Sequence, residues 1–298
     1  MPSLPADFAF SPKVWADHVN AYFDKKLVFG AFALVDRTLQ AAPGTTQNFP
    51  YFKAITAAEE PAADEALSVG KLEDDSFSCT IKEIGKAVGV RRAALRASAA
   101  KQDRIFAEVQ RQIARVQAEK VDADLITEIN TSGNYVQGFT STSATNHKMT
   151  VQVLAQGKLT AFGDKADEAS VVFMHSHNYL DLLTDSTAGF LKADANDPWY
   201  NVPGFKGRIL GMALVVSDQC PAHATIDSNT AYECFICKPN AYGFMAAEAP
   251  DMEYDYDILH REHVFAGTQW YGVKSFHAEI ASLDYRIARL SVVTRFTA

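Results

Sequence analysis

Residues 98–133 constrain the fold of this chain more than any other stretch. They read SAAKQDRIFAEVQRQIARVQAEKVDADLITEINTSG. Apolar residues recur every three to five positions, which lays one stripe along a helix. The stripe consists of Ile105, Val109, Ile113, Val116, Val121, Leu125 and Ile129. Ser98 is suited to cap the start and Gly133 to end it in a left-handed conformation. About 30 residues at 1.5 Å each predict a rod of about 45 Å.

The opposite side of this predicted helix is basic. It carries Lys101, Arg104, Arg111, Arg115 and Lys120. A long rod with one apolar side needs a sheet or another helix along its whole length. On its own, the stretch is equally compatible with an ordinary long helix in an α/β enzyme.

Composition narrows the class of protein. A chain of 298 residues forms one large domain or two smaller ones and can bury a substantial core. It has no run of 18 apolar residues, and its first residues lack the pattern of a signal peptide. A formal net charge of -8 argues against a surface that wraps nucleic acid, although it allows a protein that merely encloses it.

The four cysteines predict neither a disulfide framework nor a metal centre. They are Cys79, Cys220, Cys234 and Cys237. Cys234 and Cys237 form a CxxC pair inside a predicted strand, where positions i and i+3 point to opposite faces. A shared metal would require a break in that strand, and no second CxxC exists.

We do not expect the first 80 residues to form a core of their own. Residues 14–39 predict a helix with an apolar stripe that docks on something else. Residues 42–55 read as extended, and a small, acidic stretch follows before the pattern alternates again. We predict a long hairpin with a polar tip, and the alternative is a flexible surface loop. Its acidic residues, against the single Lys71, are Glu59, Glu60, Asp64, Glu65, Glu73, Asp74 and Asp75.

A strand over residues 76–97 changes its alternation between Ile81 and Ile84, which predicts a bulge or bend there. Three arginines, Arg91, Arg92 and Arg96, follow it.

After Gly133 the pattern predicts a compact α/β unit. We expect a helix over residues 148–163 and buried strands over 169–176, 208–217 and 232–239. Long strands return from Pro250 onward, so the chain leaves the long helix, builds a separate lobe and comes back.

Catalytic motifs are weak. The chain has no phosphate-binding glycine loop, dinucleotide fingerprint or nucleophile elbow. His175 and His177 follow a buried strand and could hold zinc with Asp181, Asp185 or Asp218. The alternative is that these polar residues cap a helix. His260 and His263 could share a metal on a helix, but their segment reads as strand or turn.

Taken in order, these parts resemble the major capsid proteins of tailed bacteriophages, with the Hong Kong 97-type fold. The resemblance depends on their order over more than 200 residues. The parts are TIKEIGKAVGVRRAALRAS, KVDADLITEIN with the family's habitual D.DLI close, VVFMHSHNYLDLL with Ser176 where proline is common, GRILGMALVVSD and CFICKPNAYGF.

The resemblance implies an α+β Hong Kong 97-like capsid fold with four parts. These are an N-terminal arm (1–40), an extended loop (41–80), a peripheral domain (81–145 and 250–298) with a spine helix (99–131), and an α/β axial domain (146–249). The tip of the axial domain is either 190–207 or 218–231.

It also implies a structural protein without catalysis or cofactor. Copies would form pentamers and hexamers of an icosahedral head shell that encloses double-stranded DNA without specific binding and does not contact a membrane. Scaffolding, portal and decoration proteins are possible partners. The scaffolding extension of the family is absent, so we expect a separate scaffold or prior cleavage. The location would be the virion capsid, assembled in the host cytoplasm. The alternatives are an encapsulin-like nanocompartment and a metal-dependent enzyme using His175 and His177.

Finally, it implies contacts between copies. The acidic loop of one copy would lie on arginines of the next, while apolar loop residues supply binding energy. The residues concerned are Phe49, Tyr51, Phe52, Glu59, Glu60, Asp64, Glu65, Arg91, Arg92, Arg96, Arg104, Arg111 and Arg115. Members of this family can crosslink a lysine to an asparagine, for which Lys53 or Lys71 would be the lysine here.

Overall fold

A computed structural model describes most of the chain after its first 26 residues. The described residues are 27–38, 44–52, 72, 74–97, 102–143, 148–185, 191–192, 194, 196–276 and 285–294.

Four α-helices and fourteen strands are found among the described residues. The helices are α1 (Arg92–Ala97), α2 (Gln102–Ile129), α3 (Val151–Phe162) and α4 (Ser176–Leu183), with 3₁₀ turns at Gly30–Phe32 and Gly163–Glu168. The strands are β1 (Leu34–Asp36), β2 (Thr46–Phe52), β3 (Asp74–Thr80), β4 (Lys82–Arg91), β5 (Val136–Thr140), β6 (Val171–Met174), β7 (Leu191–Lys192), β8 (Phe205–Ile209), β9 (Met212–Val216), β10 (Ala222–Ile226), β11 (Asn229–Cys237), β12 (Tyr242–Asp257), β13 (Glu262–Ser275) and β14 (Ile287–Val293).

The long helix that the sequence predicts is α2, whose 28 residues make a rod of about 42 Å. Gly133 has φ +95°, as the predicted stop requires, although the helix ends at Ile129. Ser98 lies outside the described residues. One position of the predicted stripe is wrong: Val116 is 45% exposed, because the buried side rotates onto Ala114 and Ala118 as the helix passes from one sheet to the other.

The large sheet has the order β5-β14-β11-β6-β9-β8-β7, with β10 paired to the free part of β11. Its β6 is buried at every position, as predicted for a strand covered on both faces. One face packs on α2 through residues such as Phe173 and Phe235. The other face packs on α3 through residues such as Met174 and Leu290.

The small sheet has the order β1-β12-β13-β4 and covers the first half of α2. Ile113 and Ala114 of the helix pack with Phe265 of β13 and Met252 of β12. The second half of α2 packs against the large sheet through Val121 and Leu125. One helix therefore supports both sheets, which explains why its apolar side is needed along its whole length.

The interruption lies at Ile81 itself, just before the predicted interval between Ile81 and Ile84, which β4 crosses without a register shift. β3 ends at Thr80 and pairs only with β2 in a separate two-stranded ribbon, while β4 begins at Lys82 and pairs with β13. The change in alternation therefore marks the point at which the chain passes from the ribbon to the small sheet.

Two predicted elements are wrong. Residues 27–38 do not continue a helix but form a 3₁₀ turn followed by β1, which pairs in parallel with β12. Residues 208–217 are not one strand but a hairpin of β8 and β9. Leu210 and Gly211 both have positive φ, +49° and +82°, as a two-residue hairpin turn requires.

The helix over 151–162 agrees with the sequence analysis, and the predicted long strands are β12 and β13, although β12 already begins at Tyr242. β5 and β14, which the resemblance places in the peripheral domain, belong to the large sheet together with strands from residues 146–249. None of the described helices is long and apolar enough to cross a membrane.

Gln117 of α2 is a buried polar side chain that does not find a partner. It is 2% exposed, and neither its Oε1 nor its Nε2 has a hydrogen-bond partner among the described residues. Since an unpaired buried amide costs free energy, Gln117→Met should raise the free energy of unfolding by about 1–2 kcal/mol. Urea denaturation measures this. The control, Gln112→Met on the exposed side, should stay within about 0.5 kcal/mol of the parent, and equal values for both variants would contradict the prediction.

Candidate functional site

The ribbon of β2 and β3 stands on the small sheet through one apolar cluster. Phe77 and Phe49 both approach Phe276, with ring centroids 5.4 and 5.5 Å away. Cys79 and Met245 complete the cluster. Phe49 therefore packs, partly buried, within its own subunit, and its expected role in contacts between copies stays a prediction. Phe52, farther along the ribbon, is 70% exposed.

A charged network fixes the point at which the ribbon joins the body. The Asp124 carboxylate lies 2.7 Å from Lys82 Nζ and 2.8 Å from Lys120 Nζ, and it accepts a hydrogen bond from the Tyr271 hydroxyl. Burial opposes ionisation of Asp124, but these hydrogen bonds hold its pKa below the ordinary value. Burial and the bond to Asp124 raise the pKa of Tyr271. The network thus joins β4, α2 and β13.

Three of the six predicted arginines converge with a fourth that the sequence analysis missed. Arg91, Arg92 and Arg96 line a pocket of about 730 Å³ together with Arg261 at the β12–β13 turn. The Arg92 N–H donates to the Arg261 carbonyl at 3.0 Å, which holds the turn against the end of β4. We call these four residues the arginine pocket.

The remaining predicted arginines do not join the arginine pocket. Arg111 Nε lies 2.8 Å from Glu108, and Arg115 Nε lies 2.6 Å from Glu119, so both form ion pairs on their own helix. The hydrogen bond from Arg111 lowers the pKa of Glu108 to about 2. Arg104 is exposed on α2. Acids one turn away on the same helix already pair with Arg111 and Arg115, and their expected role as partners for acidic residues of another copy stays a prediction.

The turn beside the arginine pocket presents apolar side chains to solvent. Ile258 and Leu259 are 77% and 90% exposed. Asp257 holds the turn, because its Oδ1 accepts from the backbone N–H groups of Leu259 and His260. A cationic pocket with an apolar lip is suited to a partner that is both acidic and apolar.

The acidic loop residues Glu59, Glu60, Asp64 and Glu65 lie outside the described residues, as do Lys53 and Lys71. The side chain of Tyr51 is likewise outside the described part, while Asp74 is exposed on β3.

Two histidine pairs were candidates for metal binding. His175 caps α4, with its Nδ1 accepting from the His177 N–H at 3.2 Å, and its ring stacks on Tyr232 at 3.9 Å. Burial lowers the pKa of His175. The capping interpretation is thus confirmed. Asp185 accepts from the Val151 N–H at 3.3 Å, so it too has a local role.

The second histidine pair is separated by the hairpin. His263 lies in β13 and hydrogen-bonds the Tyr254 hydroxyl at 2.6 Å, while His260 lies in the turn, 2.6 Å from Asp257. The hydrogen bond to Asp257 raises the pKa of His260. Asp257, His260 and Glu262 have donor atoms within 4.8 Å of one another and are the described residues best placed to hold a cation.

Cys234 and Cys237 lie on opposite faces of their strand, as the sequence predicted. Cys234 belongs to the core on the α3 face of the large sheet and Cys237 to the core on the α2 face. Burial raises the pKa of Cys234 to about 12. The pair therefore cannot share a metal or form a redox couple in this fold.

Comparison with solved structures places this fold among phage capsids. The capsid of Ralstonia phage GP4 matches with a TM-score of 0.70 and 12% identity over 91% of this chain and 92% of that one. The head structure of Helicobacter pylori bacteriophage KHP40 matches with a TM-score of 0.63 and 12% identity over 93% and 91%. At such low identity the likeness shows the fold.

The sequence of this chain is also similar to that of a curated protein. The major capsid protein of Staphylococcus phage phiMR11 is 28% identical over 215 residues, which are 72% of this chain and 74% of the relative. No family model matches the chain. The resemblance seen in the sequence is confirmed: the chain is a homologue of a phage major capsid protein and has the fold of tailed-phage capsids. The comparisons do not support the nanocompartment and enzyme alternatives.

Proposed function

We propose that this chain is a major capsid protein whose copies assemble as pentamers and hexamers into the icosahedral head shell of a tailed phage. The observation that carries the proposal is a capsid fold over 91% of the chain, together with a major capsid protein as homologue. The product would be a closed wall around double-stranded DNA. A net charge of -8 suits a wall that DNA does not grip.

The Hong Kong 97-like division of the chain is part of this proposal. Residues 1–40 would be the arm, 41–80 the extended loop, 81–145 with 250–298 the peripheral domain, and 146–249 the axial domain. In its support, α2 spans both sheets, and the β2–β3 ribbon pairs with no other described strand. Residues 27–36, within the arm, pack into the body of their own subunit.

Contacts between copies would join the acidic loop of one subunit to the arginine pocket of the next. Among the described residues, none of the four guanidinium groups in that pocket forms an ion pair, although Glu262 lies opposite Arg91 in the pairing of β13 with β4. The segment from Glu59 to Asp75 carries the opposite charge. The opposite charges would set how the loop of one copy aligns on the next. The exposed Phe52, Ile258 and Leu259 would supply apolar area to be buried in that contact.

Such contacts need not be strong one at a time. Burial of apolar area contributes roughly 25 cal/mol per Å², less the cost of ordering the loop. Each subunit of a closed shell makes several contacts at once, so their effects accumulate. Scaffolding, portal and decoration proteins would be further partners, assembly would take place in the host cytoplasm, and the protein would act without cofactor or catalytic turnover.

Electron microscopy of the purified protein tests the proposal. We expect closed shells or capsomers, and nuclease-protected DNA inside shells isolated from phage. A monodisperse single subunit at every concentration, with or without a co-expressed scaffold, would contradict it. Shells that enclose a protein cargo and no DNA would favour the nanocompartment.

A further inference from the structure

Asp122 of α2 holds the first described residues of the chain by their backbone. Its Oδ2 accepts from the Val28 N–H at 2.7 Å, and its Oδ1 accepts from the N–H groups of Phe29 and Gly30, both at 3.1 Å. From the other side, the Tyr242 hydroxyl donates to the Phe29 carbonyl at 2.8 Å. Three consecutive donors on one carboxylate form a clasp at the start of the 3₁₀ turn.

The clasp lies in an apolar setting. Asp122 is 2% exposed, and Phe29 is fully buried with its ring 4.8 Å from that of Phe173. No basic side chain among the described residues forms an ion pair with Asp122. A carboxylate there depends on backbone dipoles alone to offset the loss of water.

The segment that it holds is where residues 1–26 join the body. Residues 27–30 are followed by the 3₁₀ turn and by β1, which occupies the edge of the small sheet beside β12. We call residues 27–30 the strap. Residues 27–30 thus anchor the first described part of the chain to α2.

We propose that the strap can detach from the clasp at Asp122, and that its attached, closed state is favoured when Asp122 takes up a proton. Opening the strap returns the carboxylate to water, which stabilises its ionised form. Closing the strap buries that charge away from water. The three N–H groups favour the ionised carboxylate, but burial without a basic partner opposes ionisation more strongly, so acid favours the closed state and neutral pH loosens the strap. The proposed function supplies the use of this device, since a loosened strap frees the arm to reach a neighbouring copy.

Among the titratable groups around the clasp, Asp122 is the one that we expect to change its charge between acidic and neutral pH. The strap has none, β12 contributes Tyr242, and β11 contributes Cys237 on the same side. Burial raises the pKa of Tyr242 and of Cys237, so both stay neutral throughout the acidic and neutral range. On α2 itself, Glu119 and Asp124 pair with basic residues away from the strap.

The direction of the pH dependence follows from the pKa of Asp122 in the closed and the open state. Burial raises its pKa from 3.8 to about 6 in the closed state, against the lowering effect of the three N–H groups. The open state keeps the ordinary value. Between these values only the closed state holds the proton, so strap opening should increase about tenfold between pH 5 and pH 7.5.

Hydrogen exchange of the full chain, read by mass spectrometry on peptides covering residues 27–33, tests the proposal. After correction for intrinsic exchange rates, wild-type protection should fall about tenfold from pH 5 to pH 7.5. Asp122→Asn should remove this change. Tyr242→Phe should lower protection at both pH values and keep the tenfold ratio.

Equal wild-type protection at the two pH values would overturn the proposal, as would a tenfold ratio that persists in Asp122→Asn. If Asp122→Asn does not fold, the wild-type series and Tyr242→Phe still decide the matter. None of these readings requires shells, so failure of the clasp is distinguishable from failure of the proposed function.

Discussion

Replacing Arg91 and Arg92 together by glutamate should abolish closed shells and leave a soluble, folded subunit. Both residues are exposed and line the arginine pocket, and the one hydrogen bond that ties this segment to Arg261 uses the Arg92 backbone, which the change keeps. The reversal turns attraction for an acidic loop into repulsion at several contacts of every subunit. Negative-stain microscopy and sedimentation measure assembly, and circular dichroism measures folding.

A matched control uses two arginines of the same chain. Arg111→Glu with Arg115→Glu makes the same change of charge, but these residues pair with Glu108 and Glu119 on their own helix. That variant should still form shells, because exposed ion pairs within one helix contribute little to stability. Normal shells from the Arg91 and Arg92 reversal would contradict the proposed pairing.

A charge exchange sharpens the test. If the partner is the acidic loop, Glu59→Lys with Glu60→Lys should restore part of the assembly lost by the Arg91 and Arg92 reversal. Failure of this pair together with failure of the equivalent pair at Asp64 and Glu65 would argue that the arginine pocket meets another surface. Raised salt should weaken wild-type assembly, because exposed charge pairs are screened.

The sequence predicted best the features that depend on neighbours along the chain. The stripe of α2, the uniformly apolar β6 and the break at Ile81 all follow from the alternation of side chains over a few residues. The order of these parts also led to the capsid fold. The order of the elements reflects how they pack on one helix, and it is kept in a solved capsid structure to which this chain is only 12% identical.

The features it missed depend on tertiary contacts. Arg261 is distant in the chain from Arg91, and only the register of β13 with β4 brings the two together. The helix predicted for residues 27–38 fails because Asp122 and the edge of β12 offer its backbone better partners than a helix does. Phe49 looked free in the sequence because its partner, Phe276, lies in another segment.

Gly267→Ala should lower the free energy of unfolding by about 2–3 kcal/mol, because it forces α2 away from β13. A Cβ at this position would lie 2.4 Å from Ile113 Cγ2 and 3.1 Å from Gln117 Nε2. Ile113 is buried between the helix and Phe265, so its side chain has little room to move. Denaturation by urea measures the loss.

Two further variants separate this clash from the general effect of replacing a glycine. Gly133 has φ +95° but open space around its Cβ position, so Gly133→Ala should cost only about 1 kcal/mol, through backbone conformation. Ile113→Ala removes the Cγ2 atom that clashes, so Ile113→Ala with Gly267→Ala should lose less than the sum of the two single variants. Strict additivity, or equal losses from Gly267→Ala and Gly133→Ala, would show that α2 and β13 are not held at this close distance. If α2 is not close-packed on the small sheet, it cannot hold in place the sheet that carries both the arginine pocket and the apolar cluster under the β2–β3 ribbon.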